Sequence, residues 1–412
     1  MVFLLVALVV SVASGSSEVD RGTSIVDGRS LLSAALPGHR LPPLRLDSGR
    51  ARAGRLRLRS RLDLETQLPT RRLVLRPSLL DERREAVRRG VRWLRWYVAR
   101  HWSYRELGNN AVYIFRELAE TTADDVVRRI CYPVARRLAL RMKAYYLGRG
   151  RIDERDDLLE AIDLLTFHRV LHFDPQPLLD RVLARFSRYR TAEALYDVDL
   201  DRLDRLDDDD LFDLLINTYV LEKAWLTLSP QLATDFHLGQ LIRFLRQRPY
   251  VEHDKDTSDD QDHFYADAYL ATHVAFVFTN YGVAPLRRAD VPRVYPFLRR
   301  SFPILLAAKH IELVAELLDV YRSMGRSERN DGQVERGTRF LLRTQASDGS
   351  WGPWRKEKSR YDAVHYTWAA VHGLRDRTLR RDTRYERHLE RLLDPHAAIR
   401  RHVDPSLEPA RN

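Results

Sequence analysis

The stretch RGTRFLLRTQASDGSW, residues 336–351, sets unlike residues at fixed positions in a chain that otherwise reads as charged helix. Its Asp348–Gly349 pair predicts a turn, because glycine tolerates a positive φ. Trp351 is expected to stack back on its own hairpin and bury a large area, while Gln345 ties helix ends by hydrogen bonds. The stretch therefore predicts one helical hairpin.

Two pairs of similar segments within the chain indicate that this hairpin is one unit of a repeat. VRRGVRWL at 87–94 aligns with VERGTRFL at 334–341, an offset of 334 − 87 = 247 residues. DAYLAT at 267–272 aligns with DAVHYT at 362–367, an offset of 362 − 267 = 95 residues. A hairpin unit of about 48 residues fits both offsets, and about six units fill the helical part of the chain. We expect an all-α fold, an α/α toroid of the (α/α)6-barrel type around one central cavity. An irregular all-α domain with chance echoes is the alternative.

The pattern R-G-x-x-F-L-x-x-x-Q-x-x-x-G-x-W at 336–351 resembles the QW repeat of squalene and oxidosqualene cyclases. Related strings occur in the helical hairpins of protein prenyltransferases. The resemblance implies the toroid of the terpene cyclase and prenyltransferase superfamily, with a ligand in the centre of the ring. It predicts the fold more strongly than the chemistry.

Two departures from these families limit the resemblance. The cyclase DxDD acid string is matched by Asp207–Asp210 only because four aspartates stand in a row, and this segment looks like a solvated helix start. The Asp, Cys and His zinc set of prenyltransferases cannot be assembled from Cys131, the one cysteine in the chain. No residue is therefore predicted to be a metal ligand, although the acidic segment 252–267 leaves metal binding open, and no pattern identifies a cofactor.

The chain divides into four segments by composition. Residues 1–15 carry a short apolar run followed by small residues, which is typical of a signal peptide and predicts a secreted or exported protein. Residues 16–80 are expected to be an Arg-rich flexible leader or pro-segment. Residues 81–375 would form the toroid, and 376–412 a C-terminal helix and tail.

The positive charge is concentrated in the leader. Residues 1–80 hold 13 Arg and Lys against 6 Asp and Glu, which is +7 of the net +11. Because the body is nearly balanced, we expect no nucleic-acid partner. The apolar run at the N-terminus is too short to span a bilayer, so no transmembrane helix is expected beyond the signal segment. Nothing in the sequence indicates an oligomeric state.

Three segments supply candidate site residues, provided that they face the centre of the ring. On the first, Asp267, Tyr269 and His273 could form a general acid–base or cation site. The alternative is a solvated acidic loop followed by a helix with a hydrogen-bonded histidine. On the second, Asp362 and His365 are three residues apart at a helix start, so that one can orient the other.

The second segment has an alternative as well, in which Asp362 caps the helix and His365 packs in the ring. Trp368, on the same helix, is a candidate ligand contact. On the third segment, Glu312 and Glu316 lie opposite an apolar stripe, which is usual for a solvated face. An inward orientation would instead place these carboxylates in an acidic cavity.

The leading functional hypothesis is a cyclase-like protein acting on an apolar or isoprenoid-type ligand, a small molecule or lipid. Its acid–base groups would be Asp267, His273, Asp362 and His365. A secreted carbohydrate-active hydrolase or lyase on the same fold is the second hypothesis. The third is a non-catalytic binding or scaffold toroid, so catalysis itself stays open.

Overall fold

In a computed structural model of the chain, the described residues are 78–148, 150–189, 191–251, 259–379 and 383–393. They all belong to one compact unit. Within these ranges the chain is all-α, without a β-strand beyond an isolated antiparallel bridge between Thr122 and Arg377. The first eight α-helices are α1 (Leu79–His101), α2 (Gly108–Thr121), α3 (Asp125–Tyr146), α4 (Arg155–Thr166), α5 (His168–Leu171), α6 (Gln176–Phe186), α7 (Ala192–Tyr196) and α8 (Asp208–Thr227).

The second half of the described chain is also made of α-helices. Short 3₁₀ turns stand at Leu200–Arg205, Pro230–Leu232 and Arg288–Asp290. The remaining helices are α9 (Leu238–Leu245), α10 (Asp259–Phe278), α11 (Val294–Ala307), α12 (Ile311–Ser323), α13 (Gly332–Thr344), α14 (Arg360–Leu374) and α15 (Thr383–Leu393).

Several predicted segments fall largely outside the described residues. The signal peptide at 1–15 lies wholly outside them, as do residues 16–77 of the leader and 394–412 of the tail. No helix in the described ranges is both long and apolar enough to cross a membrane.

The aspartate run begins a helix, as expected. Asp207 is the N-cap of α8, and its side chain accepts a hydrogen bond from the Asp210 backbone N–H at 2.8 Å. The first-turn carboxylates also suit the positive end of the helix dipole. The run therefore has a local structural role.

The longer helices fall into two sets that alternate along the chain. The core helices are α2, α4, α8, α10, α12 and α14, and each contacts the next one in this order. The flanking helices are α1, α3, α6, α9, α11 and α13. Burial separates the sets: in α12 every residue from Glu312 to Ser323 is buried, charged residues included, whereas α1 keeps one exposed face.

The quoted stretch fixes the last hairpin to the first helix. The Gln345 side-chain amide donates to the backbone oxygens of Gly349 and Ala86, at 2.9 Å each, so it ties the end of α13 to the following turn and to the interior of α1 rather than to another helix end. The indole of the fully buried Trp351 donates to the Leu341 oxygen at 2.7 Å. Gly349 has a φ of +94°, as a turn glycine requires.

Candidate functional site

Two glutamates on α12 and a histidine on α14 form the centre of a buried polar cluster. Glu312 and Glu316 are four residues apart, so they lie on one face of the helix. The His365 Nδ1 atom is 2.7 Å from Glu312 Oε1, and its Nε2 atom is 3.9 Å from Glu316 Oε1. One imidazole thus faces both carboxylates.

Helix α10 covers the other side of the glutamates. The Tyr269 hydroxyl donates to Glu312 Oε2 at 2.8 Å, and the Thr272 hydroxyl donates to Glu316 Oε2 at 2.6 Å. The His273 Nδ1 atom lies 2.9 Å from the Tyr269 backbone oxygen and 3.9 Å from Glu316 Oε2. We call Glu312, Glu316, His365, Tyr269, Thr272 and His273 the acid–base cluster.

The two carboxyl groups titrate in opposite directions from their usual values. Burial raises the pKa of Glu316 to about 7, although His365 and the Thr272 hydrogen bond act against it. Burial also acts to raise the pKa of Glu312, but the charge and hydrogen bond of His365 outweigh it and the net pKa is lowered. At neutral pH one carboxyl therefore holds a proton part of the time while the other stays ionised.

The pKa values of the two histidines are also shifted in opposite directions. Burial disfavours the cation of His365, but the charge and hydrogen bond of Glu312 outweigh it, so the pKa of His365 is raised. Burial lowers the pKa of His273 to about 3, even though the Tyr269 oxygen favours the cation. His365 therefore holds its proton to a higher pH than a free imidazole does, whereas His273 is neutral at physiological pH.

Aromatic rings surround the acid–base cluster. The Tyr361 ring stacks on His365 with a centroid distance of 5.1 Å, and Trp368 meets the same imidazole edge-on at 5.4 Å. Phe212, on α8, lies 4.6 Å from the His273 ring. The polar groups are thus enclosed by rings that can contact an apolar ligand or stabilise positive charge.

Six of the eight candidate residues from the sequence lie in or beside this cluster: Glu312, Glu316, His365, Tyr269, His273 and Trp368. Asp267 points elsewhere, because its carboxylate accepts from the Val251 N–H at 2.5 Å and pairs with Arg248 at 3.0 Å. Asp362 stands at the start of α14, where Ser359 is the cap. The hydrogen-bond partner of His365 is Glu312 and not Asp362.

A second buried network lies at the other end of α12 and α14, and sequence reasoning missed it. Arg375 is fully buried and donates to Asp319 at 2.8 Å and to Glu117 at 3.4 Å. His372 Nδ1 is 3.0 Å from the same Glu117 carboxylate. Burial opposes the Glu117 anion, but His372 and Arg375 outweigh it and lower its pKa to about 2.

Three residues of this network, Glu117, Asp319 and His372, could offer ligand atoms to one metal ion. The Arg375 guanidinium already bonds both carboxylates, and Arg377 pairs with Asp319 at 3.1 Å. Because two guanidinium groups supply the positive charge that an ion would bring, the network fits a structural ion-pair cluster better than a metal centre.

Comparison of the chain with protein-family models, with curated proteins and with solved structures finds no match.

Proposed function

We propose that the alternating helices close into an α/α toroid, with the core helices inside and the flanking helices outside. The support is the order of contacts: the core helices meet in chain order, and His372 on α14 meets Glu117 on α2, so the last contacts the first. The last and first flanking helices are also in contact, because α13 packs on α1.

The two echoed glycines support the same arrangement. On α13, Gly337 faces Leu318 of α12, the core helix that precedes it. On α1, Gly90 faces Val371 of α14, which would precede it in a closed ring. The equivalent residue thus makes the equivalent contact across the proposed closure, which a chance echo does not explain.

We further propose that the acid–base cluster catalyses proton transfer on a ligand in the centre of the toroid. The observation that carries this proposal is the opposite shift in the pKa values of Glu312 and Glu316, whose carboxylates both face His365. Paired titratable groups whose pKa values are driven apart are a common arrangement for acid–base catalysis. A donor with a pKa near the working pH is also the most effective one.

The contacts assign a part to each group. Glu316 would donate the proton and take it back, with Thr272 fixing the carboxyl orientation by its hydrogen bond. The charged His365 would stabilise the Glu316 anion left behind, while Glu312 holds the imidazole in place. His273 is too weakly basic to compete for this proton.

The ring-lined surroundings favour an apolar, isoprenoid-type ligand as the substrate. A carboxyl group with a pKa near 7 is a weaker acid than usual, so proton transfer to a polarised carbon or to an oxygen fits better than protonation of an isolated alkene. A carbohydrate is the second candidate, because burial also raises the pKa of Glu160 and of Asp213 to about 7. Such additional acidic groups suit hydroxyl-rich ligands.

Isotope labelling distinguishes the two substrate classes. The full chain and its Glu316→Gln variant would be incubated with a lipid extract in D₂O and with a glycan extract in H₂¹⁸O, followed by mass spectrometry. A proton delivered to carbon leaves deuterium in a lipid product, whereas hydrolysis of a glycoside leaves ¹⁸O in a sugar.

We expect a labelled lipid with the wild-type chain and its loss in Glu316→Gln, with Glu335→Gln, a partly exposed glutamate on α13, as the matched control. A labelled sugar instead would favour the second candidate. Equal labelling by the wild type and Glu316→Gln, or none in either extract, would contradict the proposal.

A further inference from the structure

A buried arginine on α2 has more hydrogen-bond donors than the described residues satisfy. The Arg116 residue is only 1% exposed, and its Nη1 atom donates to Glu120 at 2.7 Å. Its guanidinium carbon lies 4.7 Å from the ring centres of both Tyr113 and Phe167. The Nε and Nη2 atoms are buried without a hydrogen-bond partner among the described residues.

Two unpaired donors on a buried guanidinium need an explanation. A buried donor without an acceptor loses the hydrogen bonds that it made to water in the unfolded chain, and native structures rarely contain such donors. The Nε and Nη2 atoms form one edge of the guanidinium, and the spacing of two N–H groups on one edge matches the two oxygens of a carboxylate. The missing acceptor is therefore expected to come from a bound molecule.

A second cation lies beside the same ring. The Lys223 Nζ atom is 6.0 Å from the Phe167 ring centre and donates to the Tyr219 hydroxyl at 3.3 Å. Asp163 is the nearby counter-charge; burial raises its pKa to about 6, although Lys223 and Arg116 both act to lower it. The single unpaired edge of Arg116 matches one carboxylate. It therefore suits a ligand with one negative charge rather than two.

Aromatic rings connect this arginine to the acid–base cluster. Tyr113, which contacts Arg116, lies 6.1 Å from the Trp368 ring, and Trp368 lies 5.4 Å from the His365 ring. A molecule reaching from Arg116 to His365 would therefore pass along apolar surfaces.

We propose that Arg116, with Lys223 beside it, binds a carboxylate of the substrate, so that the substrate is an apolar molecule with a single carboxylate. This assignment rests on the proposed function for the position of the reacting end. The carboxylate subsite itself stands on the unpaired guanidinium edge.

Binding of octanoate to the full chain tests the subsite, with 1-octanol as the uncharged probe and octyl phosphate as the doubly charged one. Calorimetric titration should give a dissociation constant for octanoate at least about tenfold below that for octanol, since two charge-assisted hydrogen bonds are gained. Arg116→Lys keeps the positive charge but loses the pair of N–H groups that binds both carboxylate oxygens. The preference for octanoate over octanol should therefore disappear, while the affinity for octanol stays unchanged.

Two further variants test the subsite without changing Arg116, in case Arg116→Lys folds poorly. Asp163→Asn removes the competing negative charge and should tighten octanoate binding, whereas a purely structural Arg116 would leave it unchanged. Arg100→Lys is the matched control, an exposed arginine 5.0 Å from the Trp96 ring centre, and should bind like the wild type.

Equal affinity for octanoate and octanol in the wild type, or an unchanged preference in a folded Arg116→Lys, would overturn the proposal. Tighter binding of octyl phosphate than of octanoate would overturn the assignment of a carboxylate. Glu316→Gln should bind octanoate normally, so loss of catalysis and loss of this subsite are separable.

Discussion

Gly90→Ala is expected to destabilise the protein, although alanine is normally the better helix residue. Gly90 lies within α1, where a Cβ would stand 2.5 Å from Val371 Cγ2 and 2.8 Å from Trp351 Cζ3. Ordinary carbon–carbon contacts are about 3.5–4.0 Å. Both neighbouring side chains are fully buried, so neither can move aside into solvent.

The expected magnitude follows from two opposing effects. Overpacking of a filled core costs about 1–3 kcal/mol, and the overlap with two immobile groups places this site toward the upper end. Replacing glycine inside a helix returns up to about 1 kcal/mol. We therefore expect a net loss of about 1–2 kcal/mol in the free energy of unfolding.

Urea unfolding of four chains measures the effect and its origin: wild type, Gly90→Ala, Trp351→Phe and the double variant. Trp351→Phe loses the hydrogen bond to Leu341 but also removes Cζ3, so it should relieve part of the strain from Ala at 90. The double variant should then be more stable than the sum of the single losses by about 0.5–1 kcal/mol.

Gly332→Ala is the control, because this exposed glycine opens α13 and its nearest neighbour would be 3.6 Å away. It should be neutral or slightly stabilising. A neutral Gly90→Ala, or losses at 90 and 351 that simply add, would refute the close packing of α1 against Trp351.

Three further changes test other parts of the structure. Burial raises the pKa of Glu160 from its usual value to about 7, so its contribution to stability is present at low pH and is lost as pH rises through about 4.5–7. The melting temperature of Glu160→Gln should therefore fall less over that range than the melting temperature of the wild type. The same pH profile in both chains would contradict the raised pKa of Glu160. Arg375→Met leaves Arg377 as the only cation among the described residues that pairs with Asp319, and His372 as the partner of Glu117, so the loss in urea unfolding should lie toward the lower end of about 3–5 kcal/mol; a loss below about 1 kcal/mol would contradict the ion-pair network. Cys131 is fully buried, and burial raises the pKa of its thiol. A thiol reagent should therefore label Cys131 only after the chain unfolds. Rapid labelling of the native chain would contradict this burial.

Much of the fold was readable from the sequence because its signals are local. Apolar residues at three- and four-residue spacing predict the helices, and caps such as Asp207 mark their starts. The echo of Gly90 with Gly337 indicated a repeated contact, since only a residue without a side chain fits where two helices nearly touch. Which helices contact one another is not a local property, and a single sequence indicates it only through such repeated segments.

The site was harder to predict because burial decides its chemistry. Glu312 and Glu316 have the spacing of an ordinary solvated face, yet both are buried because α12 is covered on every side. His365 was expected to pair with Asp362, its neighbour in sequence, but Glu312 on another helix is the partner. Arg116 gave no signal at all, since its unpaired edge is visible only when every contact around it is known.

The link between Gln345 and Ala86 has a consequence for biosynthesis. These two hydrogen-bonded residues are 259 positions apart, so α1 leaves the ribosome long before the hairpin that covers it. At about 5–20 residues per second, the delay is about 13–52 s. During that time the face of α1 that packs on Trp351 lacks its final partner, so this part of the core closes only after the last hairpin has been made.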